Sequence, residues 1–175
     1  LNPPLYRVIA ALPEAPSGGL AIALGSGASS EPNLSGIYSV GDNPVIDVLA
    51  PASLDAGYLW VAVVDVSGNV FNILPRDVLR EHALAALGET DQGMRRIRVA
   101  HPVAEAEADP AKLGFTIDAN FGKSLILVFL TDRPLFVEPR PQESAASFAE
   151  ALESRLAGGE VRVLAIARQL IDSRR

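Results

Sequence analysis

Two apolar runs separated by a short polar segment occupy residues 57–76. The first run, residues 58–66, is largely apolar at both its odd and its even positions, and the second, residues 70–74, follows the turn-forming residues Ser67, Gly68 and Asn69. Because successive side chains of a strand point to opposite faces, a run that is apolar on both faces predicts a strand covered on both sides. The pattern therefore predicts a β-hairpin whose first strand lies centrally in a sheet.

Other short apolar runs lie between turn-forming residues and predict further strands. These runs are residues 5–12, 20–24, 45–49, 97–99, 115–119, 124–130 and 161–171, the last as a strand or a strand plus a turn. Residues 25–33 are small and polar, and we expect them to form a mobile surface loop.

Two segments have the features of helices. Residues 77–87 combine strong helix formers with an N-cap candidate, Asp77, and a following Gly88. Apolar residues recur at helical spacing over residues 145–156, behind Ser144. With the flanking strands, this last helix predicts a strand-helix-strand crossover. The predicted fold class is α+β, a mostly antiparallel β-sheet or sandwich with a short mid-chain helix and a longer C-terminal helix.

Composition limits the classes of partner. The chain has 175 residues, of which 49% are hydrophobic and 21% charged, with a mean hydropathy of +0.23 and a net charge of -6. These values predict one ordered β-rich domain over residues 1–175 and argue against nucleic acid or anionic membranes as partners. The Arg95 to Arg98 group is expected on a solvated strand face. No apolar run reaches the roughly 20 residues of a membrane-spanning helix, so no membrane insertion is expected.

Three short motifs resemble known ligand-binding loops, but each lacks a required residue. Gly122-Lys123-Ser124 resembles the end of a phosphate-binding loop, yet Ile117 occupies the upstream glycine position. Residues 25–30 resemble a dinucleotide fingerprint without its third glycine, and residues 65–69 resemble the opening of a calcium loop without its later glycine and Glu. We therefore predict no cofactor, and interpret the first motif as a hairpin turn.

The candidate ligand-binding residues are Tyr58, Trp60, Asp65 and Asn69. Tyr58 and Trp60 are two positions apart on one side of the predicted strand, and could form an aromatic platform for a glycan. Their apolar neighbours favour packing in the core instead. Asp65 and Asn69 flank the hairpin turn, where hydrogen bonds to the turn backbone are the favoured role.

Catalysis could be argued only from the two histidines, His82 and His101. A small hydrolase with an unrecognised site around either one stays an alternative, but the sequence holds no Gly-x-Ser-x-Gly elbow. Two histidines cannot make a three-ligand zinc site without carboxylates, and the chain has no Cys for a thiolate site or a disulfide. We predict no catalytic residue and no metal ligand.

The order of several motifs resembles a bacterial family of domains of unknown function, whose members occur beside serine/threonine kinase domains, caspase-like peptidase domains and envelope lipoproteins. The motifs are residues 38–42, 57–61, 65–70, 73–75, 114–115 and 122–130. The resemblance covers about residues 38–135 and implies a β-rich accessory domain without catalytic residues. After Pro75 the chain departs from the family's usual short polar turn, and residues 136–175 form a C-terminal helix-strand extension outside the resemblance.

The first residue is Leu1, with neither an initiator Met nor a signal segment, so we expect a piece of a longer protein. The resemblance and the missing catalytic motifs predict a non-catalytic sensing or protein-interaction module of a larger signalling or secretion-associated envelope protein. A protein partner is expected, in the periplasm or cell envelope or, alternatively, in the cytoplasm. Glycan or peptidoglycan binding through Tyr58 and Trp60 is a further alternative.

Overall fold

A computed structural model describes residues 2–27, 29 and 31–175. Ala28 and Ser30, part of the loop predicted at residues 25–33, lie outside the described residues, as does Leu1. Three α-helices occur in the described part: α1 (Pro3–Ala11), α2 (Val103–Ala108) and α3 (Ala145–Ala157). The strands are β1 (Ala21–Ser26), β2 (Ile37–Ser39), β3 (Pro44–Pro51), β4 (Tyr58–Val64), β5 (Asn69–Leu74), β6 (Glu89–Asp91), β7 (Met94–Ala100), β8 (Gly122–Thr131), β9 (Glu143–Ser144) and β10 (Val163–Arg174).

The strands form two sheets. The six-stranded sheet has the order β2-β10-β8-β4-β5-β9, and the four-stranded sheet has the order β1-β3-β7-β6. All pairs are antiparallel except β2 with β10. The predicted α+β class with mostly antiparallel sheets is confirmed. Among the described residues no helix is both long enough and apolar enough to cross a membrane.

Two apolar clusters place the six-stranded sheet in the middle of three layers. On one face, Trp60 and Phe129 pack with Leu5 of α1 and Phe148 of α3. On the other face, Leu59, Val61, Ile126 and Val128 pack against side chains of the four-stranded sheet, such as Ile46 and Val48. Each large side chain buried in this way contributes about 2 kcal/mol. The predicted two-sided cover and central place of β4 are both confirmed, since β4 lies between β8 and β5.

Helix α3 begins where the sequence predicts. The Ser144 side chain accepts a hydrogen bond from the backbone N–H of Ser147 (3.1 Å), and Phe148, Ala149 and Leu152 are buried. The predicted crossover is found, but its first strand is the two-residue β9 directly before α3 and not the run at residues 124–130, which forms β8 and is antiparallel to β10. The successive antiparallel pairs across the six-stranded sheet make β9 parallel to β10, so α3 joins two parallel strands at separate places in that sheet.

The strand predicted at residues 5–12 is wrong, because residues 5–11 belong to α1 and Leu12 is its C-cap residue. The Asn2 side chain accepts the backbone N–H of Leu5 (3.0 Å), and two prolines occupy the first helical turn, where no N–H is needed. Leu5 and Val8, three positions apart, are fully buried against the sheet. The sequence Asn2-Pro3-Pro4 indicates the start of a helix, but the apolar run that follows it was interpreted as a strand.

The helix predicted at residues 77–87 is also wrong, apart from one 3-10 turn at Leu84–Ala86. The backbone of this segment pairs with the start of β4 instead. The N–H of Leu59 donates to the backbone carbonyl of His82 (2.8 Å), and the N–H of Leu84 donates to the carbonyl of Gly57 (2.9 Å). Burial of Leu84 in the core between the sheets outweighs the intrinsic helix propensity of the segment.

Residues 115–119 form no strand, contrary to the prediction. They lie in an irregular segment that is hydrogen-bonded to the residues just before β3. The N–H of Ile117 donates to the backbone carbonyl of Asp42 (2.8 Å), and the carbonyl of Ile117 accepts from the N–H of Gly41 (2.7 Å). The interpretation of Gly122-Lys123-Ser124 as a hairpin turn is likewise wrong, since these are the first residues of β8. Because no strand precedes them, there is no hairpin at this point.

Candidate functional site

Trp60 and Tyr58 do not form a shared exposed platform. The Trp60 ring is fully buried, packs edge-on against Phe136 (ring centroids 4.9 Å apart), and donates its indole N–H to Oδ1 of Asn72 (2.9 Å). The Tyr58 ring is half-buried and lies beside His82 (5.4 Å between centroids). The structure thus places Trp60 in the core, as its apolar neighbours in the sequence predict.

The hydrogen bond of Trp60 belongs to a longer polar network. Asn72 donates from Nδ2 to Oε2 of Glu143 (2.9 Å), and the guanidinium of Arg140 binds both oxygens of Glu143 (2.7 and 2.6 Å). Ser147 donates its hydroxyl to the same carboxylate (2.8 Å). Burial acts to raise the pKa of Glu143, but the hydrogen bonds from Arg140, Ser147 and Asn72 together hold that pKa below its ordinary value.

Stability is expected to fall in acid partly through Glu143. Folding lowers the pKa of this carboxyl, so the ionised form stabilises the folded protein. This contribution to the free energy of unfolding is complete above the unfolded-chain pKa of about 4.3, and it is lost as the pH falls through the folded-state pKa. Urea unfolding from pH 7 to pH 3 should show a gap in stability between the wild type and Glu143→Gln that narrows below about pH 4. The exposed Glu150→Gln variant is the control, and a gap for Glu143→Gln that does not change with pH would contradict the assignment.

Asp65 and Asn69 are brought together by the turn between β4 and β5. Oδ1 of Asp65 accepts from the backbone N–H groups of Ser67 (3.0 Å) and Asn69 (2.9 Å) and from the Ser67 hydroxyl (2.6 Å). The Asn69 side chain donates to the Ser67 hydroxyl oxygen (2.9 Å). The predicted bonding to the turn backbone is confirmed for Asp65, whereas the Asn69 side chain bonds to the side chain of Ser67 instead.

Neither histidine has an acid or hydroxyl partner in the part of the chain that the structure describes. Nδ1 of His82 bonds to the Arg80 carbonyl (2.9 Å), whereas the buried Nδ1 of His101 has no hydrogen bond. Burial is the main reason that the pKa of His101 lies below its ordinary value, which favours the neutral ring at pH 7. Among the described residues no group of three or more His, Asp or Glu side chains is placed to hold a metal ion.

The edge of β7 is only partly paired. Strand β6 pairs with Met94, Arg95 and Arg96 alone, so residues 97–100 have no strand partner on that side among the described residues. A cleft of about 1100 Å³ lies along this edge, and we call it the edge cleft. Its lining includes Arg76, Leu79, Leu87, Arg98, His101 and Lys112.

The backbone of Arg98 faces the edge cleft. The two-residue turn after Asp91 has positive φ at both positions (50° and 78°), and Asp91 and Met94 are the pair that flanks it. In such a hairpin the flanking residues exchange both of their backbone hydrogen bonds, and bonding residues recur at every second position. Arg96 therefore also bonds to β6, and Arg98, two positions later, turns its N–H and C=O to the open side.

A buried carboxylate fixes the side chains on the outer face of β7. Asp47 of β3 is only 3% exposed and accepts from Nη1 of Arg96 (2.5 Å) and from Nε (2.8 Å) and Nη2 (3.1 Å) of Arg98. These two arginine side chains keep 56% and 42% of their surface exposed, in keeping with the solvated face predicted for them. One carboxylate does not balance two guanidinium groups, but Glu89, opposite Arg96 on β6, and Glu105, near Arg98, offset the remaining positive charge.

Hydrogen bonds to the backbone hold the far wall of the edge cleft in place. Nη2 of Arg76 donates to the Ala111 carbonyl (2.6 Å), and the N–H of His101 donates to Leu113 (2.7 Å). Beneath the edge the cleft reaches apolar side chains, including Leu79, Leu87 and Ile97. The cleft therefore combines an unpaired strand, an apolar base and a rim of mixed charge, in which Glu89, Asp91, Glu105 and Asp109 lie among the basic side chains.

Part of this site had a signal in the sequence. Asp47 interrupts an otherwise apolar strand, and a charged residue there requires a partner, which Arg96 and Arg98 supply at alternate positions of one strand. The open edge had no such signal, because it depends on β6 ending after three residues.

Comparison of the chain with models of known protein families, with curated proteins and with solved structures gave no match.

Proposed function

We propose that this chain is a non-catalytic protein-interaction module, and that it binds an extended segment of a partner protein in the edge cleft. The observation that carries the proposal is the unpaired edge of β7 beyond Arg96. Exposed edges of this kind bind further strands, and proteins usually block them with a proline, a bulge or a covering loop. The register of β7 with β3 shifts just after Arg98, but Arg98 itself has no strand partner on the open side among the described residues, and a cleft lies along the edge there.

The lining of the edge cleft specifies the chemistry of the bound segment. Side chains of an added strand alternate between two directions. Those that point inward would meet Leu79 and Leu87, whereas those that point outward would lie beside Arg98. Cross-strand pairs of opposite charge are favourable, so the segment should place an acidic residue beside Arg98. Its other outward positions should be polar, because Glu89, Asp91, Glu105 and Asp109 also line the cleft.

The wider setting rests on the family resemblance of residues 38–135. We propose that the module belongs to a larger bacterial signalling or secretion-associated protein and works in the periplasm or cell envelope. The absence of hydrogen-bonded acid or hydroxyl partners around His82 and His101 in the described structure supports a binding role over hydrolysis.

A proline at Arg98 tests the proposal. Short random peptides displayed on phage would be selected on the immobilised wild-type domain, and the selected peptides would be synthesised and measured by calorimetry. Arg98→Pro should weaken their binding at least about tenfold, because proline removes the N–H that faces the cleft. Arg98→Ala is the matched control, since it loses the same ion pair with Asp47 but keeps the N–H.

The two variants separate the contribution of the Arg98 backbone to peptide binding from that of its side chain. Binding to Arg98→Ala should stay within about threefold of the wild type, as for a partly exposed ion pair. Equal losses in both variants would mean that the guanidinium rather than the strand edge holds the peptide. Failure to select any peptide would also count against the proposal.

A further inference from the structure

A second cavity lies on the opposite side of the irregular segment 113–120. It has a volume of about 550 Å³, and its floor is the face of the six-stranded sheet that turns toward the four-stranded sheet. The floor side chains are Val63, Phe71, Ile73, Ser124, Ile171 and Ser173, and the roof is segment 113–120. Cavities of this volume hold small molecules in many proteins.

Most of the cavity wall is apolar. Phe71 and Ile171 from the floor face Phe115 and Ile117 from the roof across the space. Phe71 keeps 37% of its surface exposed, which is unusual for a phenylalanine in the middle of a hairpin strand. An apolar molecule in the cavity would cover this ring and gain the corresponding transfer free energy.

One end of the cavity is polar. The β4-β8 register pairs Val64 with Leu125, so its continuation places Asp65 beside Ser124. On the other side of β8, Ser124 pairs with Ile171, and Ser173 follows on the same face two positions later. A carboxylate and two hydroxyls therefore share one end of an otherwise apolar space.

Two of these polar groups have oxygen atoms that the fold leaves open. Ser173 is 7% exposed, and its hydroxyl makes no hydrogen bond within the described structure. Asp65 is 8% exposed, and its turn contacts use Oδ1 alone. Neither the Ser173 hydroxyl nor Oδ2 of Asp65 is among the fully buried atoms that lack a partner, so both reach solvent and can bind a ligand in place of water.

The charge of the lining selects one class of ligand. Asp65 and Asp118 line the cavity, and none of the described lining residues is Lys, Arg or His. An anionic ligand would be repelled, whereas an ammonium group would find a carboxylate oxygen and a hydroxyl oxygen to accept its hydrogen bonds.

We propose that this cavity is a ligand site for a compact apolar molecule that carries a protonated amine. The ammonium group binds Asp65 and the neighbouring Ser124 hydroxyl, and the apolar body lies between Phe71 and Phe115. The site adjoins the edge cleft, since Ile73 lines both, and the chain thus has one surface for a protein segment and one cavity for a small cationic ligand.

The probes are three naphthalene compounds that differ only in their polar group. Calorimetry with 1-naphthylmethylamine, 1-naphthylmethanol and 1-naphthoate at pH 7 should show the amine binding at least about tenfold more tightly than the alcohol, and no binding of the carboxylate. Asp65→Asn should reduce the preference for amine over alcohol to about threefold or less, because the amide keeps an oxygen for the turn but loses the charge. Asp55→Asn, an exposed aspartate outside the cavity lining, is the matched control and should leave the preference unchanged.

A measurement on the wild type keeps the test independent of how any variant folds, and a variant that fills the cavity adds a second check. In the wild type, backbone amide shifts in the NMR spectrum should change with the amine at segment 113–120 and around Ser124 and Ser173. Ser124→Phe, which would fill the cavity floor, should abolish binding of both the amine and the alcohol. Equal affinity for amine and alcohol, shift changes elsewhere on the protein, or no binding of any probe would each overturn the proposal.

Discussion

Trp60→Ala is expected to lower the free energy of unfolding by about 4 kcal/mol, the largest loss for a single side chain in this fold. The Trp60 ring is fully buried under the helices, and its edge contact with Phe136 would be lost. Truncation would leave a cavity and would remove the donor to Asn72, whose side chain also binds Glu143. Urea unfolding monitored by far-ultraviolet circular dichroism measures the change.

A second substitution at Trp60 shows how much of the lost stability comes from packing and how much from the hydrogen bond to Asn72. Trp60→Phe keeps most of the apolar volume but removes the indole N–H, so it should cost about 1–2 kcal/mol through the unpaired oxygen of Asn72. Tyr6→Ala, which removes an exposed aromatic ring, should cost less than about 0.5 kcal/mol. If Trp60→Ala kept the stability of the wild type and lost binding to a glycan, the core role of Trp60 would be refuted.

Asn43→Ala is expected to cost about 3 kcal/mol, because one buried side chain joins three separate stretches of backbone. Asn43 is 7% exposed and donates from Nδ2 to the carbonyls of Phe115 (2.9 Å) and His101 (3.3 Å). Its Oδ1 accepts the N–H of Val103 (2.9 Å) at the start of α2. The variant leaves these three backbone groups without that partner.

The same substitution should loosen both proposed sites, since the chain at His101 lines the edge cleft and Phe115 lies in the cavity roof. Hydrogen exchange followed by NMR should show faster exchange at Val103 and Ile117 than in the wild type, beyond the change in global stability. Asn69→Ala is the matched control, because its side-chain bond to Ser67 lies at the surface and should be worth under about 1 kcal/mol. A global loss with no local change in exchange would contradict the joining role of Asn43.

Sequence patterns predicted the elements whose signals are local. The hairpin over residues 57–76 combined two-sided apolar runs with a turn that Asp65 stabilises, and α3 had both its cap at Ser144 and its apolar spacing. The errors arose where tertiary contacts decide the conformation. Residues 77–87 have high helix propensity, but their backbone pairs with β4 and the chain buries Leu84.

The two proposed sites were harder to predict from the sequence than the fold was. The four candidate residues lie on the hairpin, and among them Asp65 lines the proposed ligand cavity, whereas Trp60 is buried in the core. The edge cleft depends on where β6 ends, and the cavity depends on segment 113–120 remaining irregular. Both are properties of non-local pairing, which the order of apolar and polar residues does not specify.

The position of β10 in the six-stranded sheet has a consequence for synthesis on the ribosome. Strand β10 is a neighbour of both β2 and β8, with β8 along nearly its whole length, although it spans residues 163–174. Until those residues leave the ribosome, the apolar edge of β8 has no partner, and the layer that supports both proposed sites is incomplete. Such distant pairings close slowly, so the nascent chain presents an open edge that calls for protection by chaperones during translation.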